Sequence, residues 1–147
     1  MAHLIAQYGM RIAESGIQIS EPHAGKTMTN MKRDYLKERT RSFALRVIKL
    51  VEALSKGRTA DVLGRQLLEA GTSVGANYRD ACRAKSLADF VYKMSIVEEE
   101  ADEAIYWMEL LSESGLVQEK DVVDLMDEAN QILAMTVSSI KTARKRN

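Results

Sequence analysis

The stretch Leu67–Lys85, LLEAGTSVGANYRDACRAK, decides the fold. Leu67, Ala70, Val74 and Tyr78 recur at helical spacing, yet Gly71, Thr72, Ser73, Gly75 and Ala76 crowd positions where an ordinary core helix carries Leu. Two glycines inside a helix cost roughly 1 kcal/mol each against Ala, which close packing has to offset. Gly71 and Gly75 share a face, and with Ser73 and Ala76 beside them they predict a seam along which a neighbouring helix approaches closely.

Working outward, the helical period continues on both sides. Phe43, Val47, Leu50, Val51 and Leu54 fall at i, i+4, i+7, i+8 and i+11 and predict an amphipathic helix over 34–56. Ser55-Lys56-Gly57-Arg58 closes it, with Gly57 suited to a left-handed C-cap and Thr59 or Asp61 placed to cap the second helix, which takes Leu63 into its apolar face and runs to about Arg83. Ser86, with Asp89 three residues on, resembles a capping box and opens a third helix reaching Ser112 or Ser114, before Gly115. Its line Phe90, Met94, Val97, Ala101, Ile105, Met108 and Leu111 is widened by Val91, Tyr106, Trp107 and Leu110, which predicts burial on more than one side. The fourth helix, from about Lys120 to Ala143, carries Val122, Leu125, Met126, Ala129, Leu133, Val137 and Ile140.

Four helices of similar length, each roughly 35 Å at 1.5 Å per residue, joined by short connections predict an all-α, antiparallel up-down-up-down four-helix bundle over residues 31–147. Residues 1–30 hold Gly9, Gly16, Pro22 and Gly25 without a sustained period and read as an N-terminal extension outside the core.

A chain of 147 residues is long enough to bury one core without disulfides or metals. Its single cysteine, Cys82, cannot close an internal disulfide, no apolar run is long enough to span a bilayer, and the start MAHLIAQYGMRIAESG lacks a secretory signal's features, so a cytoplasmic protein is expected. Gly25-Lys26-Thr27 imitates the end of a phosphate-binding loop, but position 20 is Ser where that loop needs Gly, and no apolar strand precedes it. No cofactor motif is found. Acids on the third helix invite a metal-site reading, yet His3 and His23 both precede the bundle, so no Glu-x-x-His pair can form and no metal is expected. Cys82 and Ser73 lack a base, which argues against an enzyme. Trp107 beside Tyr106 reads as core or subunit interface before ligand stacking.

With the helices placed, two blocks resemble the four-helix-bundle family named after proteins encoded in intervening sequences of 23S ribosomal RNA. One is Leu68 through Ala81, LEAGTSVGANYRDA; the other runs from Ala88-Asp89-Phe90 through Glu100-Ala101-Asp102-Glu103 to Tyr106-Trp107. The likeness covers roughly Arg41 to the C-terminus, with Glu99 standing where lysine is common and Ala104 where threonine is. The resemblance implies a homopentameric ring of four-helix protomers, no established enzymatic activity, and a relative in the accessory variability protein of diversity-generating retroelements, whose similar ring is thought to bind nucleic acid and a reverse transcriptase. It also marks Gly71, Ser73, Gly75, Asn77, Glu100, Glu103 and Trp107 as a structural motif, with Asn77, Glu100 and Glu103 expected to hydrogen-bond across the second and third helices.

Lys plus Arg balance Asp plus Glu at 21 each, so net charge predicts no pull on polyanions. The expected topology separates the signs. One pole gathers Lys32, Arg33, Lys37, Arg39, Arg41, Arg79, Arg83, Lys85, Lys93, Lys141, Arg144, Lys145 and Arg146, against which stand only Asp34, Glu38, Asp80 and Asp89; the other half is acidic. In a ring of like-oriented subunits the basic poles would pool into one phosphate-binding surface, with Lys93 the one cation of that pole left out of the expected contact set. Aromatics for stacking are scarce there, with Tyr35 and Tyr78 the main candidates, so backbone contact is expected over base reading. The expected function is a non-enzymatic oligomeric accessory protein that binds nucleic acid. The alternative is a protein scaffold that recruits a partner enzyme such as a reverse transcriptase without touching nucleic acid, the two poles serving helix dipoles and subunit pairing.

Overall fold

The structure, a computed structural model, describes residues 28–146. Among them are four helices and no strand: α1 Met28–Glu52, α2 Arg58–Ala81, α3 Leu87–Glu113 and α4 Glu119–Arg144. Lys32–Asn147 forms one compact unit. The expected N-terminal extension falls, for residues 1–27, outside the described residues, while Met28 to Asn30 are already helical.

The helices form a bundle whose core is the apolar stripe of each. Phe43 and Val47 of α1, Leu67 and Val74 of α2, Met94, Val97, Met108 and Leu111 of α3, and Ile132 of α4 are almost wholly withdrawn from solvent. Helix α3 lies against both α2 and α4, which accounts for its apolar residues extending beyond one face. On α4 the buried line departs from the expected one. It passes through Ile132, Thr136 and Ala143, while Leu133 and Val137 are half-buried. Thr136 tolerates burial because its hydroxyl donates to the Ile132 carbonyl at 2.9 Å.

The glycines of α2 face α1. A Cβ on Gly71 would lie 2.8 Å from both Val47 methyls, one on Gly75 would lie 3.2 Å from Thr40 Oγ1, and one on Gly64 would lie 3.4 Å from a Val51 methyl of α1 and 2.9 Å from a methyl of Leu54, just past the end of α1. The expected seam is therefore a close approach of α1 to α2, and it extends one step further, to Gly64.

Helix ends follow the sequence at one place and depart from it at two. At Ser86 the hydroxyl accepts from the Asp89 N–H at 3.0 Å, as a capping box requires, but the Asp89 carboxylate accepts from the N–H of Lys85 rather than of Ser86. Gly57 is extended, not left-handed, and stands at the N-cap of α2; neither Thr59 nor Asp61 takes that position, because α1 ends at Glu52 and the turn comes earlier than expected. The left-handed glycine is Gly115, φ 78°, after α3. There the Leu116 N–H reaches the Leu111 carbonyl and the Gly115 N–H reaches the Ser112 carbonyl, a Schellman motif that reverses the chain before α4.

Candidate nucleic-acid interface

Most of the expected cations are at the surface. Lys32, Arg33 and Arg41 project from the first half of α1, Arg79 from the last turn of α2, Arg83 and Lys85 from the following connection, and Lys141, Arg144, Lys145 and Arg146 from the end of α4 and beyond. All ten are exposed, and Lys37 is half-buried. Two of them carry exposed ion pairs within their own segments, Arg41 with Glu38 at 3.1 Å and Arg83 with Asp80 at 3.4 Å. Such pairs are weak and exchange readily for another anion.

Arg39 does not belong to this surface. It is 8% exposed, and its guanidinium donates from Nε and Nη2 to the two oxygens of Glu128 on α4, from Nη2 to Gln131, and from Nη1 to Tyr35. Burial works to lower its pKa, but the bond and charge of Glu128 outweigh it, so the group is held above its ordinary value and stays charged. Its Nε, Nη1 and Nη2 are all engaged, by Glu128 and Gln131 of α4 and by Tyr35 of α1, which leaves no donor turned to a phosphate. The sequence carried a signal for this: Arg39 stands three residues after Leu36 and four before Phe43, inside the apolar stripe of α1.

The two aromatic candidates are also withdrawn. Tyr78 is 6% exposed, and burial, followed by the neighbouring Cys82, pushes its phenol up. Tyr35 is half-buried with the Arg39 guanidinium 5.8 Å from its ring centroid. Tyr78 is closed to a base, and Tyr35 is half-covered.

The motif on α2 and α3 is structural, with one correction. Gly71 and Gly75 meet α1 as described. Asn77 Nδ2 donates to the Ser73 carbonyl within α2, and Trp107 Nε1 donates to Glu103 within α3 at 3.0 Å. Among the described residues no hydrogen bond joins Asn77, Glu100 or Glu103 across the two helices; Asn77 and Glu103 take partners on their own helices instead. Glu100 is half-buried, and burial, then the charges of Glu103, Glu69 and Glu99, raise its pKa. Half-buried Trp107 packs edge-on against Tyr106, with centroids 4.9 Å apart, and Tyr106, expected in the wide apolar surface of α3, is itself exposed.

One concave feature lies among the cations. An open groove of about 220 Å³ runs between α1 and α2, with Lys37 and Arg41 on one wall, Arg79 on the other, and Gly75 and Ala76 among the residues lining it. Thr40 and Thr72 also line it, their hydroxyls donating to carbonyls of their own helices. Sequence reasoning named the cations but missed the groove, since it depends on how closely α1 and α2 approach.

No helix among the described residues is long and apolar enough to cross a membrane. A family model described as 23S rRNA-intervening sequence protein matches residues 35–138. The chain is also similar to a solved structure, a protein of unknown function from the S23 ribosomal protein family of Bacteroides thetaiotaomicron VPI-5482, determined at 1.70 Å. The two are 34% identical with a TM-score of 0.68, over 72% of this chain and 98% of that one. No curated protein matches the chain.

Proposed function

The chain belongs to the 23S rRNA-intervening sequence protein family, and we propose that it is a non-enzymatic, oligomeric accessory protein of the cytoplasm that binds the phosphate backbone of nucleic acid. The observation that carries the proposal is the exposure of Lys32, Arg33, Arg41, Arg79, Arg83, Lys85, Lys141, Arg144, Lys145 and Arg146 in a chain of zero net charge. Cations held at the surface without a dedicated carboxylate apiece supply the counterion-release term that dominates backbone binding.

The arrangement we infer is antiparallel and up-down-up-down. Its support is the order of contacts at the seam: Gly64, Gly71 and Gly75 ascend along α2 while their partners Val51, Val47 and Thr40 descend along α1. In that topology the start of α1, the end of α2 and the end of α4 share one pole. We propose further that protomers assemble into a homopentameric ring that pools these poles, the assembly that the family resemblance of the two sequence blocks implies. With Tyr35 and Tyr78 withdrawn, binding rests on phosphates and is indifferent to sequence.

The test is fluorescence anisotropy of short labelled RNA and DNA between about 50 and 200 mM salt, the range over which multi-phosphate contacts lose orders of magnitude in affinity. Light scattering on the same samples reads the subunit number. Salt-steep binding that weakens alike on all sequences when Arg144, Lys145 and Arg146 are changed to Gln is the expected result. Affinity that ignores salt, or no binding at all, overturns the proposal, and a protein partner that co-purifies after nuclease treatment would then make the chain a scaffold.

A further inference from the structure

We propose that the groove between α1 and α2 is the seat of one backbone phosphate, held by Lys37, Arg41 and Arg79. The inference rests on the nucleic-acid reading above and assigns that reading a place.

Three features of the groove carry it. Lys37 and Arg41 are one helical turn apart on α1 and line the same groove as Arg79, which comes from the other wall on α2, so the charges belong to two elements packed together rather than to one solvated face. The described lining contains no carboxylate; Glu38, paired with Arg41 at 3.1 Å, stands outside it and is itself exposed. The hydroxyls of Thr40 and Thr72 are spent on backbone carbonyls, so donation in the groove falls to the cations, whose ligand must be an anion.

Size selects the kind of anion. A volume of about 220 Å³ is below the roughly 300–1,000 Å³ that encloses a small-molecule ligand, and the groove is open along its length. It accommodates one charged group of a larger molecule better than a whole nucleotide. Gly75 and Ala76 keep the groove open: Gly75 presents no side chain, and the exposed methyl of Ala76 marks where a longer side chain would enter it. The seam thus does two things, bringing α1 close to α2 and leaving room for an anion between their cations.

The test compares wild type with three variants by salt-dependent anisotropy on one short RNA: Ala76→Leu, which fills the groove and keeps every charge; the triple Lys37→Gln/Arg41→Gln/Arg79→Gln; and the tail triple Arg144→Gln/Lys145→Gln/Arg146→Gln. One phosphate contact contributes roughly tenfold to affinity at 0.1 M salt through counterion release and about one to the slope of log K against log salt. We expect Ala76→Leu and the groove triple each to lose about that much, with circular dichroism melts near wild type because all but the half-buried Lys37 are exposed. Inorganic phosphate should compete at millimolar concentration with wild type and not with Ala76→Leu. Wild-type binding that both groove variants retain overturns the groove and leaves the nucleic-acid reading standing. Wild type without salt-dependent binding overturns both.

Discussion

Arg39 of α1 and Glu128 of α4 meet in a two-pronged ion pair, Nε donating to Oε1 at 2.5 Å and Nη2 to Oε2 at 2.9 Å. The side chains are 9% and 18% exposed, so the pair is desolvated on the arginine side and open at its rim on the glutamate side. It ties the first helix to the last, and it converts a residue expected at the nucleic-acid surface into part of the bundle.

Removing one partner leaves the other charge without its counterion. A fully buried pair broken in this way costs roughly 3–5 kcal/mol, and the open rim at Glu128 reduces that to about 2–3 kcal/mol for Glu128→Ala. The double change Arg39→Met/Glu128→Leu should cost less than the two single changes summed, because neither charge is left behind. Urea denaturation of the four proteins checks this; simple additivity would mean that the two residues do not couple. The folded double variant should keep wild-type RNA affinity.

Gly71→Ala and Gly75→Ala should differ in size although they share a face. At Gly71 the new methyl lies 2.8 Å from both methyls of Val47, which is fully buried and stiff about χ1, so overpacking of about 1–3 kcal/mol outweighs the roughly 1 kcal/mol gained in helix propensity. At Gly75 the closest atom is Thr40 Oγ1 at 3.2 Å, which needs only a small adjustment, and the two effects nearly cancel. Thermal melts decide it, and Val47→Ala should rescue Gly71→Ala alone. Gly75→Leu, far larger, should disrupt packing or assembly, which light scattering would detect.

Ser86→Ala removes the acceptor for the Asp89 N–H at the start of α3 and should cost about 1 kcal/mol. Ser86→Asp should retain most of that stability, since a carboxylate caps as well and suits the helix N-terminus. Equal melting of all three proteins would remove the cap from the account of where α3 begins.

The acids Glu100 and Asp89 should respond to pH with opposite signs. Burial and then the charges of Glu103, Glu69 and Glu99 raise the Glu100 pKa, so the folded state favours the protonated form. That preference is fully present below the ordinary glutamate value and is lost as pH rises through the raised one. Glu100→Gln should therefore raise the melting temperature at pH 7 and leave it unchanged in acid. The Asp89 pKa is lowered by the Lys85 N–H and then by Lys93, so its contribution is present above the ordinary aspartate value and lost as pH falls through the lowered one. Asp89→Asn should lower the melting temperature at pH 7 and converge with wild type at low pH. A melt series across pH reads both.

What the sequence determined by itself is what depends on neighbours a few residues apart. The four helices, the Ser86 cap, the two-sided burial of α3 and the small-residue seam all follow from periodicity and local hydrogen bonding, which act within one or two turns. Only the tertiary structure decided where those faces meet. Glu128 lies on another helix from Arg39, so no local pattern could pair them, although the place of Arg39 inside an apolar stripe hinted that it had a partner. The burial of Tyr78, the line through Ile132 and Thr136 on α4, and the groove over Gly75 and Ala76 likewise depend on helix register. Gly57 and Gly115 show the same division on a small scale: both stand in a connection between helices, and the path to the next helix sets which one adopts the left-handed conformation. Register is set by the simultaneous fit of side chains across several helices, and that fit exists only once the chain has packed.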